Sequence, residues 1–325
     1  QLYPGWYTGY MTYTVTNFNF FGDYEALLAK LVVSYEDGTE EVIVSNPDTW
    51  KASNDGPIRF GGFFNGERYD ARRESAVEGW NTVFFDEKGW RKAQVIEPRD
   101  WVNFDIRARY DEPVRVREIL TSTEVMPTHS KDKHTYIYNM GVNMVGVPQI
   151  SIPAGYLHEN DTVIMRYAEV LCPDGRPLHE TVRAAYATDF YVAKGSDAVV
   201  IQPTSTYRGY QYIQITLPSH KGPLATKNVK GIVLSSDNLS NSIYEAVTND
   251  GNKTAKLVNQ LFKNIQRSQL GNFFTIPTDC PQRNERMGWT GDAQAYSRTA
   301  TYISDARRFF ASMDGKSPSR SGYRK

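Results

Sequence analysis

The sequence predicts two all-β sandwich domains followed by a helical segment. Roughly the first 235 residues consist of short runs with alternating hydrophobicity, separated by turn signals. The strands lengthen after Glu112-Pro113, and a helical period begins near residue 240. A chain of 325 residues is long enough for several cores. We therefore predict domains at residues 1–112, 113–239 and 240–325, the first being a candidate carbohydrate-binding module.

Alternating runs mark the expected strands of the first β region. They are MTYTVTNF (11–18), ALLAKLVVSYEDGTEEVIVS (26–45) and NTVFFDEKGWRKAQVI (81–96). Asp37-Gly38 stands between two alternating runs, and this dipeptide tolerates the positive φ that a tight hairpin turn requires. We therefore predict a β-hairpin centred on Asp37-Gly38.

The second β region carries longer runs and loops that contain Pro, Gly and Asn. After VRVREILTSTEVM (114–126), its expected strands lie in PQISIPAGYL (148–157), DTVIMRYAEVL (161–171), ATDFYVAKG (187–195), AVVIQPTSTYRGYQYIQITL (198–217) and VKGIVLSSD (229–237). No clear internal repeat relates the two regions, so they are predicted to be different β domains.

Helical spacing replaces β alternation after residue 240. Leu257, Leu261, Ile265 and Leu270 recur close to a 3.6-residue period, and Gly271 suits a helix C-terminus. A second helix is expected to begin around Asp292. Its apolar face would contain Ala293, Tyr296, Ala300, Ile303 and Phe310.

Composition excludes several classes of partner. Lys plus Arg balance Asp plus Glu at 37 each, so no basic field predicts nucleic-acid binding. No run of 18 apolar residues predicts a membrane span. The start, QLYPGWYTGY, lacks a signal-peptide pattern, so we expect any such peptide to have been removed. The compartment is unknown from the residues, with periplasmic or extracellular favoured over cytoplasmic, and self-association stays open.

The stretch PTDCPQRNERMGWTGDAQAYSR, residues 277–298, gathers the residue types of a reactive site. Asp279, Glu285 and Asp292 lie near Arg283 and Trp289, in a loop that its prolines and glycines would bend. Ionised aspartates and burial would raise the pKa of Glu285, whereas neighbouring arginines would lower it. A glutamic acid that keeps its proton suits glycoside hydrolysis. The alternative is a solvated, charged loop between domains.

The string DCPQRNERMGWTGDAQ (279–294) closely resembles the signature of bacterial α-L-rhamnosidases of glycoside hydrolase family 78. The resemblance continues over nearly all of the chain, in the order expected. It includes GPI (56–58), FNGERYDAR (64–72), the Gly-Trp pairs at 79–80 and 89–90, RAAYATDFYVAKG (183–195) and TYRGYQYIQI (206–215).

This resemblance implies an enzyme with an (α/α)6 barrel catalytic domain, of which this chain would hold only the first helices. The implied reaction is hydrolysis of terminal α-L-rhamnosyl bonds with inversion. Carried over by position, the general acid is Glu285. The implied sugar subsite consists of Asp279, Arg283, Trp289 and Asp292.

Two departures from the family pattern affect this expectation. Asn284 stands where the family usually has Asp, which removes a charge beside Glu285. The family's general base lies on a later barrel loop, and only about 40 residues follow Glu285. Asp305 and Asp314 are better interpreted as a helix-surface charge and a turn residue. We therefore expect this chain alone to lack the general base.

No cofactor is expected to be required. No His, Cys and Asp residues show zinc-site spacing, so no metal residue is predicted. Asp48, Asn54 and Asp55 are candidate ligands for a structural calcium ion, although turn formation explains them more simply. The implied partner is a rhamnose-containing carbohydrate. Two alternatives are a rhamnose-binding β-sandwich assembly without catalysis and an inverting (α/α)6 glycosidase for another sugar.

Overall fold

The computed structural model describes residues 2–5, 7–9, 18–19, 21–97, 108–128, 134–247 and 253–313. The strands are β1 (Lys30–Ser34), β2 (Glu40–Val44), β3 (Lys51–Ala52), β4 (Ile58–Gly62), β5 (Gly66–Asp70), β6 (Arg91–Lys92), β7 (Val114–Thr121), β8 (Glu124–Pro127), β9 (Thr135–Ile152), β10 (Thr162–Ala168), β11 (Thr188–Val192), β12 (Val199–Ile201), β13 (Arg208–Thr216), β14 (Val229–Ser236), β15 (Phe273–Phe274) and β16 (Ile276–Pro277). The helices are α1 (Lys253–Asn272), α2 (Thr290–Ile303) and α3 (Arg307–Met313). Short 3-10 turns span Ala71–Ala76, His179–Val182 and Thr226–Asn228.

A curled ten-stranded sheet forms the centre of the molecule. Its main order is β4-β5-β11-β10-β13-β9-β14-β7, and β8 and β12 also pair with β9. The long strand β9 bends where it pairs with β13: Tyr212 faces Asn139 and Tyr210 faces Met144, so β9 advances further than its partner. Gly141 lies in this bulge with a φ of 79°. The bend lets β9 pair with strands in two parts of the sheet.

The inner face of the curled sheet carries the main apolar core. Alternate residues of β9, β10 and β13 point into it, as the period of two requires. Its most deeply buried members include Tyr138, Ile150, Val163, Met165, Tyr210 and Ile213. The predicted β-rich character of residues up to about 237 is therefore confirmed.

The N-terminal region contributes strands to this same sheet. β4 and β5 form a hairpin, and β5 pairs in parallel with β11. The sequence predicted the β4–β5 hairpin in the first β domain and β11 in the second. Their pairing could not be predicted, because the two segments lie far apart in the chain. The division at residues 112 and 239, and a second sandwich as such, stay predictions.

The first β region confirms one expected element and contradicts another. The hairpin at Asp37-Gly38 is present, with Lys30 paired to Val44 and Gly38 at a φ of 83°. The strand expected over 81–96 is mostly wrong. Only Arg91–Lys92 is extended in a ladder, and Val83 and Phe84 before it lie in turns with their side chains in solvent. The strand predicted at 11–18 lies almost entirely outside the described residues.

The helices follow the prediction with two differences. α1 continues through Gly271 to Asn272, one residue beyond the expected cap. The expected helix from Asp292 to Phe310 is interrupted at Ser304, which takes an extended conformation. Ser304 forms a β-bridge with Ser240, and the N–H of Asp305 donates to Leu239 O at 2.9 Å. Pairing with the 239–241 segment therefore divides this stretch into α2 and α3.

Among the described residues, no helix combines the length and the apolar character that a bilayer crossing requires. The barrel to which α1, α2 and α3 are expected to contribute stays a proposal.

Gly66 is the tightest point between β5 and β11. Its φ is 122°, and a Cβ added there would lie 2.0 Å from the carbonyl oxygen of Thr188. We expect Gly66→Ala to lower the free energy of unfolding by more than ~1 kcal/mol, because both the backbone conformation and the space exclude a side chain. Urea denaturation measures the change. Gly195→Ala is the matched control, since a Cβ there meets nothing within 4 Å. Equal stability of both variants would contradict the close approach.

Candidate active site

Four of the five predicted site residues, Asp279, Arg283, Glu285 and Trp289, lie on one loop between β16 and α2, which we call the site loop (residues 278–289). An isolated β-bridge between Thr278 and Gly288 closes it at its base. The N–H of Thr278 also donates to Asn272 O at 2.7 Å, which ties the loop to the end of α1. This closure brings together residues six or more positions apart, as the sequence predicted from the prolines and glycines.

Arg286 anchors the site loop in the β domain. It is fully buried with a φ of 54°, and its Nη1 donates to the carbonyl oxygens of Phe63 and Tyr207, both at 2.8 Å. Its guanidinium carbon lies 4.7–5.4 Å from the ring centres of Phe63, Phe64 and Tyr207. Burial lowers the pKa of Arg286 to about 9, so the group is still charged at neutral pH.

The site loop packs closely against β13 at Gly209. A Cβ at this position would lie 2.9 Å from Cβ and 3.3 Å from Cα of Gln282. The glycine therefore permits close contact between strand and loop. This explains why the TYRGYQYIQI stretch carries part of the family resemblance although it holds none of the predicted catalytic residues.

A second buried network supports the other resembling stretches. Arg208 and Asp189 form an ion pair of 3.3 Å with both side chains about 1 % exposed. Asp189 also accepts from the hydroxyl of Tyr167 and from the N–H of Glu67 at 2.5 and 2.7 Å. Glu67 in turn accepts from the N–H of Ser205 at 2.9 Å. Buried charges in such a network are stabilised because they are paired and hydrogen-bonded.

Glu285 is the centre of the candidate site. Its side chain is buried, and its Oε2 accepts from Arg183 Nη1 at 3.0 Å and from Arg283 Nε and Nη2 at 2.9 Å. Its Oε1 accepts from the indole N–H of Trp289 at 3.1 Å. Four N–H donors from three side chains therefore fix the orientation of this carboxyl group.

Arg183 is the functional candidate that sequence reasoning missed. It lies 102 positions before Glu285, at a φ of 56° directly after a 3-10 turn. The only signal available was its place at the start of the resembling stretch RAAYATDFYVAKG. Arg286 follows Glu285 directly in the sequence, but its guanidinium donates to backbone carbonyls of the β domain.

Asp279 and Cys280 complete the cluster. One ligating atom each of Asp279, Cys280 and Glu285 lies within 4.8 Å of the others. Burial, together with the carboxyl of Glu285, raises the pKa of Asp279, partly offset by a hydrogen bond from Cys280. Burial and the hydrogen bond to Asp279 raise the pKa of Cys280 to about 12, so its thiol is not a nucleophile at neutral pH. Asp279 is thus a carboxyl group that retains a proton more readily than usual.

The predicted residues are not all brought together. Asp279, Arg283, Glu285 and Trp289 form one cluster, whereas Asp292 is exposed in the first turn of α2. None of the hydrogen bonds around Glu285 involves Asp292.

An open cleft of about 270 Å³ adjoins Glu285 and shares Arg183 with it. This volume is close to the lower end of the range for small-molecule sites, about 300–1,000 Å³. Its lining consists of Arg166, His179, Val182, Arg183, Ala184, Ala185, Tyr186 and Ala187. Burial, followed by the charge of Arg166, lowers the pKa of His179. The cleft therefore offers guanidinium donors and a neutral imidazole to a polar ligand next to the buried carboxyl.

Three family models match the chain in succession. The α-L-rhamnosidase N-terminal domain matches residues 1–118, and the bacterial α-L-rhamnosidase concanavalin-like domain matches residues 129–235. The bacterial α-L-rhamnosidase 6 hairpin glycosidase domain matches residues 252–316. The last match includes the site loop.

Curated relatives of this chain are named α-L-rhamnosidase, as are the three family models. An α-L-rhamnosidase of Formosa agariphila is 35% identical over 316 residues, which are 96% of this chain and 32% of that protein. An α-L-rhamnosidase of Streptomyces avermitilis is 36% identical over 311 residues, which are 94% of this chain and 28% of that protein. The chain spans about a third of the length of these relatives.

Solved structures show the same similarity. The α-L-rhamnosidase of Streptomyces avermitilis complexed with L-rhamnose aligns with a TM-score of 0.81 and 35% identity, over 95% of this chain and 28% of that one. The native enzyme of Aspergillus terreus aligns with a TM-score of 0.80 and 34% identity, over 94% and 33%. Because family models match in order along most of its length, and relatives by sequence and by fold agree, this chain belongs to the bacterial α-L-rhamnosidase family.

Proposed function

We propose that this chain belongs to an enzyme that removes terminal α-L-rhamnose from glycosides or saccharides with inversion, with Glu285 as the general acid. The observation that carries the proposal is the position of Glu285: a buried carboxyl held by three side chains, one of which, Arg183, also lines a cleft. The relatives named α-L-rhamnosidase, one of them solved with L-rhamnose, support the choice of sugar.

In the proposed reaction, Glu285 gives its proton to the glycosidic oxygen as the bond from that oxygen to C1 breaks. A water molecule attacks C1 from the opposite face and gives its proton to a general base. Asp279 is the neighbouring carboxyl from which Glu285 takes this proton, and the raised pKa of Asp279 supports that role.

Asp279 is too close to Glu285 to be the general base. Inverting glycosidases separate their two carboxyl groups by about 6.5–9.5 Å so that water fits between them. One oxygen of Asp279 lies within 4.8 Å of one of Glu285. We therefore assign Asp279 to the sugar subsite and to proton supply.

The remaining subsite residues are assigned from the parts of their side chains that are free to contact a sugar. Arg283 holds Glu285 and is only partly buried, so it can also donate to a rhamnose hydroxyl. Trp289 orients Glu285 through its indole N–H, which leaves the ring faces for the apolar C6 side of the sugar. Asp292, exposed at the start of α2, accepts from a hydroxyl at the rim of the subsite.

The stereochemical outcome tests this proposal. We expect a protein that contains this chain with its complete catalytic domain to release β-L-rhamnose first from an α-L-rhamnoside, as followed by proton NMR. Initial release of α-L-rhamnose would mean retention and would overturn inversion. Binding of rhamnose without hydrolysis would favour the non-catalytic alternative, and activity on a different glycoside alone would favour another substrate.

A further inference from the structure

Two histidines and an aspartate meet at the end of the curled sheet that lies away from the site loop. His158 and Asp161 lie in the loop between β9 and β10, and His220 lies in the loop after β13. One nitrogen of each histidine and one carboxylate oxygen all lie within 4.8 Å of one another. We call this group the His–Asp cluster. The sequence could not predict it, because about 60 residues separate its two parts.

The two loops are held together by contacts independent of the cluster. Lys221 Nζ donates to Gly155 O at 2.9 Å, and the same ammonium lies 5.3 Å from the ring centre of Tyr156. The hydroxyl of Tyr156 donates to Gly222 O. These contacts fix the separation of the loops, and they turn the nearby positive charge of Lys221 towards Tyr156. The cluster is therefore preorganised, which reduces the entropy lost when a ligand binds.

The side chains of the cluster are oriented as metal ligands. Asp161 Oδ2 accepts from the backbone N–H of His158 at 2.7 Å. This bond fixes the carboxylate, as hydrogen bonds around metal ligands typically do. His220 Nε2 lies 3.4 Å from the same oxygen. This matches the edge of a tetrahedron with bonds of 2.0–2.1 Å, about 3.3 Å. The rings of His158 and His220 stack with their centres 4.5 Å apart, and one nitrogen of each lies within 4.8 Å of the other.

The cluster is reachable from solvent and has an open coordination position. The side chains of His220 and Asp161 are 36 % and 18 % exposed. Three protein ligands with water as the fourth form a common zinc arrangement, and imidazole with carboxylate suits zinc better than calcium or magnesium.

We propose that His158, His220 and Asp161 bind a zinc ion that clamps the β9–β10 loop to the loop after β13. The zinc site is separate from the candidate rhamnoside site. Gly209, which contacts the site loop, and Thr216, next to the His220 loop, lie seven residues apart on β13, about 23 Å of strand. A test of zinc binding therefore does not depend on whether the protein hydrolyses rhamnosides.

Titration of the metal-free 325-residue chain with Zn²⁺, in competition with a colorimetric chelator, tests the site. We expect one ion per chain. His158→Ala and His220→Ala should each weaken binding by at least the roughly 10- to 100-fold that changes around metal ligands cause. His179→Gln is the matched control, because it removes an imidazole outside the cluster, and it should keep the wild-type affinity. Co²⁺ in place of Zn²⁺ should give the intense visible bands of four-coordinate cobalt, and both alanine variants should lose them.

Two results would overturn the proposal. One is wild-type Zn²⁺ binding no tighter than that of the His158→Ala/His220→Ala double variant. The other is an equal loss of affinity in the His179→Gln control. If an alanine variant fails to fold, His220→Gln replaces it, and the shift in thermal unfolding midpoint caused by Zn²⁺ is compared with wild type. An equal shift in both proteins would again exclude the site.

Discussion

In a protein that contains this chain with its complete catalytic domain, replacement of Glu285 by Gln should lower the turnover of natural α-L-rhamnosides by a factor of about 10²–10⁴, the range attributed to general acid–base catalysis. The amide has nearly the same shape, and its oxygen can still accept from either Trp289 or one of the arginines. It has no proton of suitable acidity to give to the glycosidic oxygen. The loss should appear in kcat more than in KM, because the missing interaction belongs to the transition state.

Leaving-group chemistry separates loss of the acid from general damage to the site. With p-nitrophenyl α-L-rhamnoside the leaving phenolate needs little protonation, so Glu285→Gln should retain much more of its activity on this substrate. Asp305→Asn is the matched control, since Asp305 is a half-exposed carboxylate that lies between α2 and α3, not on a helix surface as the sequence predicted, and its partner is Arg307. It should leave turnover unchanged. Near-normal turnover of natural rhamnosides by Glu285→Gln would refute the assignment.

Local sequence signals predicted most of the candidate site because its residues share one short loop. Asp279, Arg283, Glu285 and Trp289 are at most ten positions apart, and the bridge between Thr278 and Gly288 brings them together. The hairpin at Asp37-Gly38 was predictable for the same reason, since turn chemistry is a property of neighbouring residues.

Contacts distant in sequence were not predictable from patterns of this kind. Arg183 reaches Glu285 across 102 positions, and β5 pairs with β11 across more than a hundred residues. Neither contact leaves a periodicity in the chain. The incorrect strand at 81–96 shows that a pattern can also be present without the structure it predicts. Alternation predicts a strand only where another surface covers the apolar side, and Val83 and Phe84 are more than nine-tenths exposed.

The direction of a side chain was also beyond sequence reasoning. Arg283 and Arg286 are three positions apart, but Arg283 binds the carboxylate of Glu285, whereas Arg286 enters the β domain. The positive φ of Arg286 turns the chain at this point. Residue identity therefore indicated that arginines surround the site, and only the backbone conformation decides which of them acts on Glu285.

Replacement of Arg286 by Met should lower the free energy of unfolding by about 2–3 kcal/mol. The thioether chain fills a similar apolar space among Phe63, Phe64 and Tyr207, but it donates no hydrogen bond. A buried carbonyl that loses its donor costs about 1–3 kcal/mol. The carbonyl of Phe63 keeps a bond from the hydroxyl of Thr206, and the carbonyl of Tyr207 keeps one from Arg208 Nη1. Removal of a buried cation also returns part of its desolvation cost. Arg286 Nε also donates to Arg283 O at 3.2 Å, so three carbonyls lose a donor, but the total cost stays well below three full penalties.

Urea denaturation of Arg286→Met against the control Arg176→Met measures this effect. Arg176 is about half exposed and pairs with surface carboxylates, so its replacement should change stability by less than about 0.5 kcal/mol. Arg286→Lys should fall between wild type and Arg286→Met, because an ammonium keeps the charge but lacks the planar fork that reaches two carbonyls at once. Since Arg286 joins the site loop to the β domain, its replacement should also reduce rhamnosidase activity by displacing Glu285. Unchanged stability of Arg286→Met would show that Gly209 and the bridge at Thr278 hold the site loop without the guanidinium.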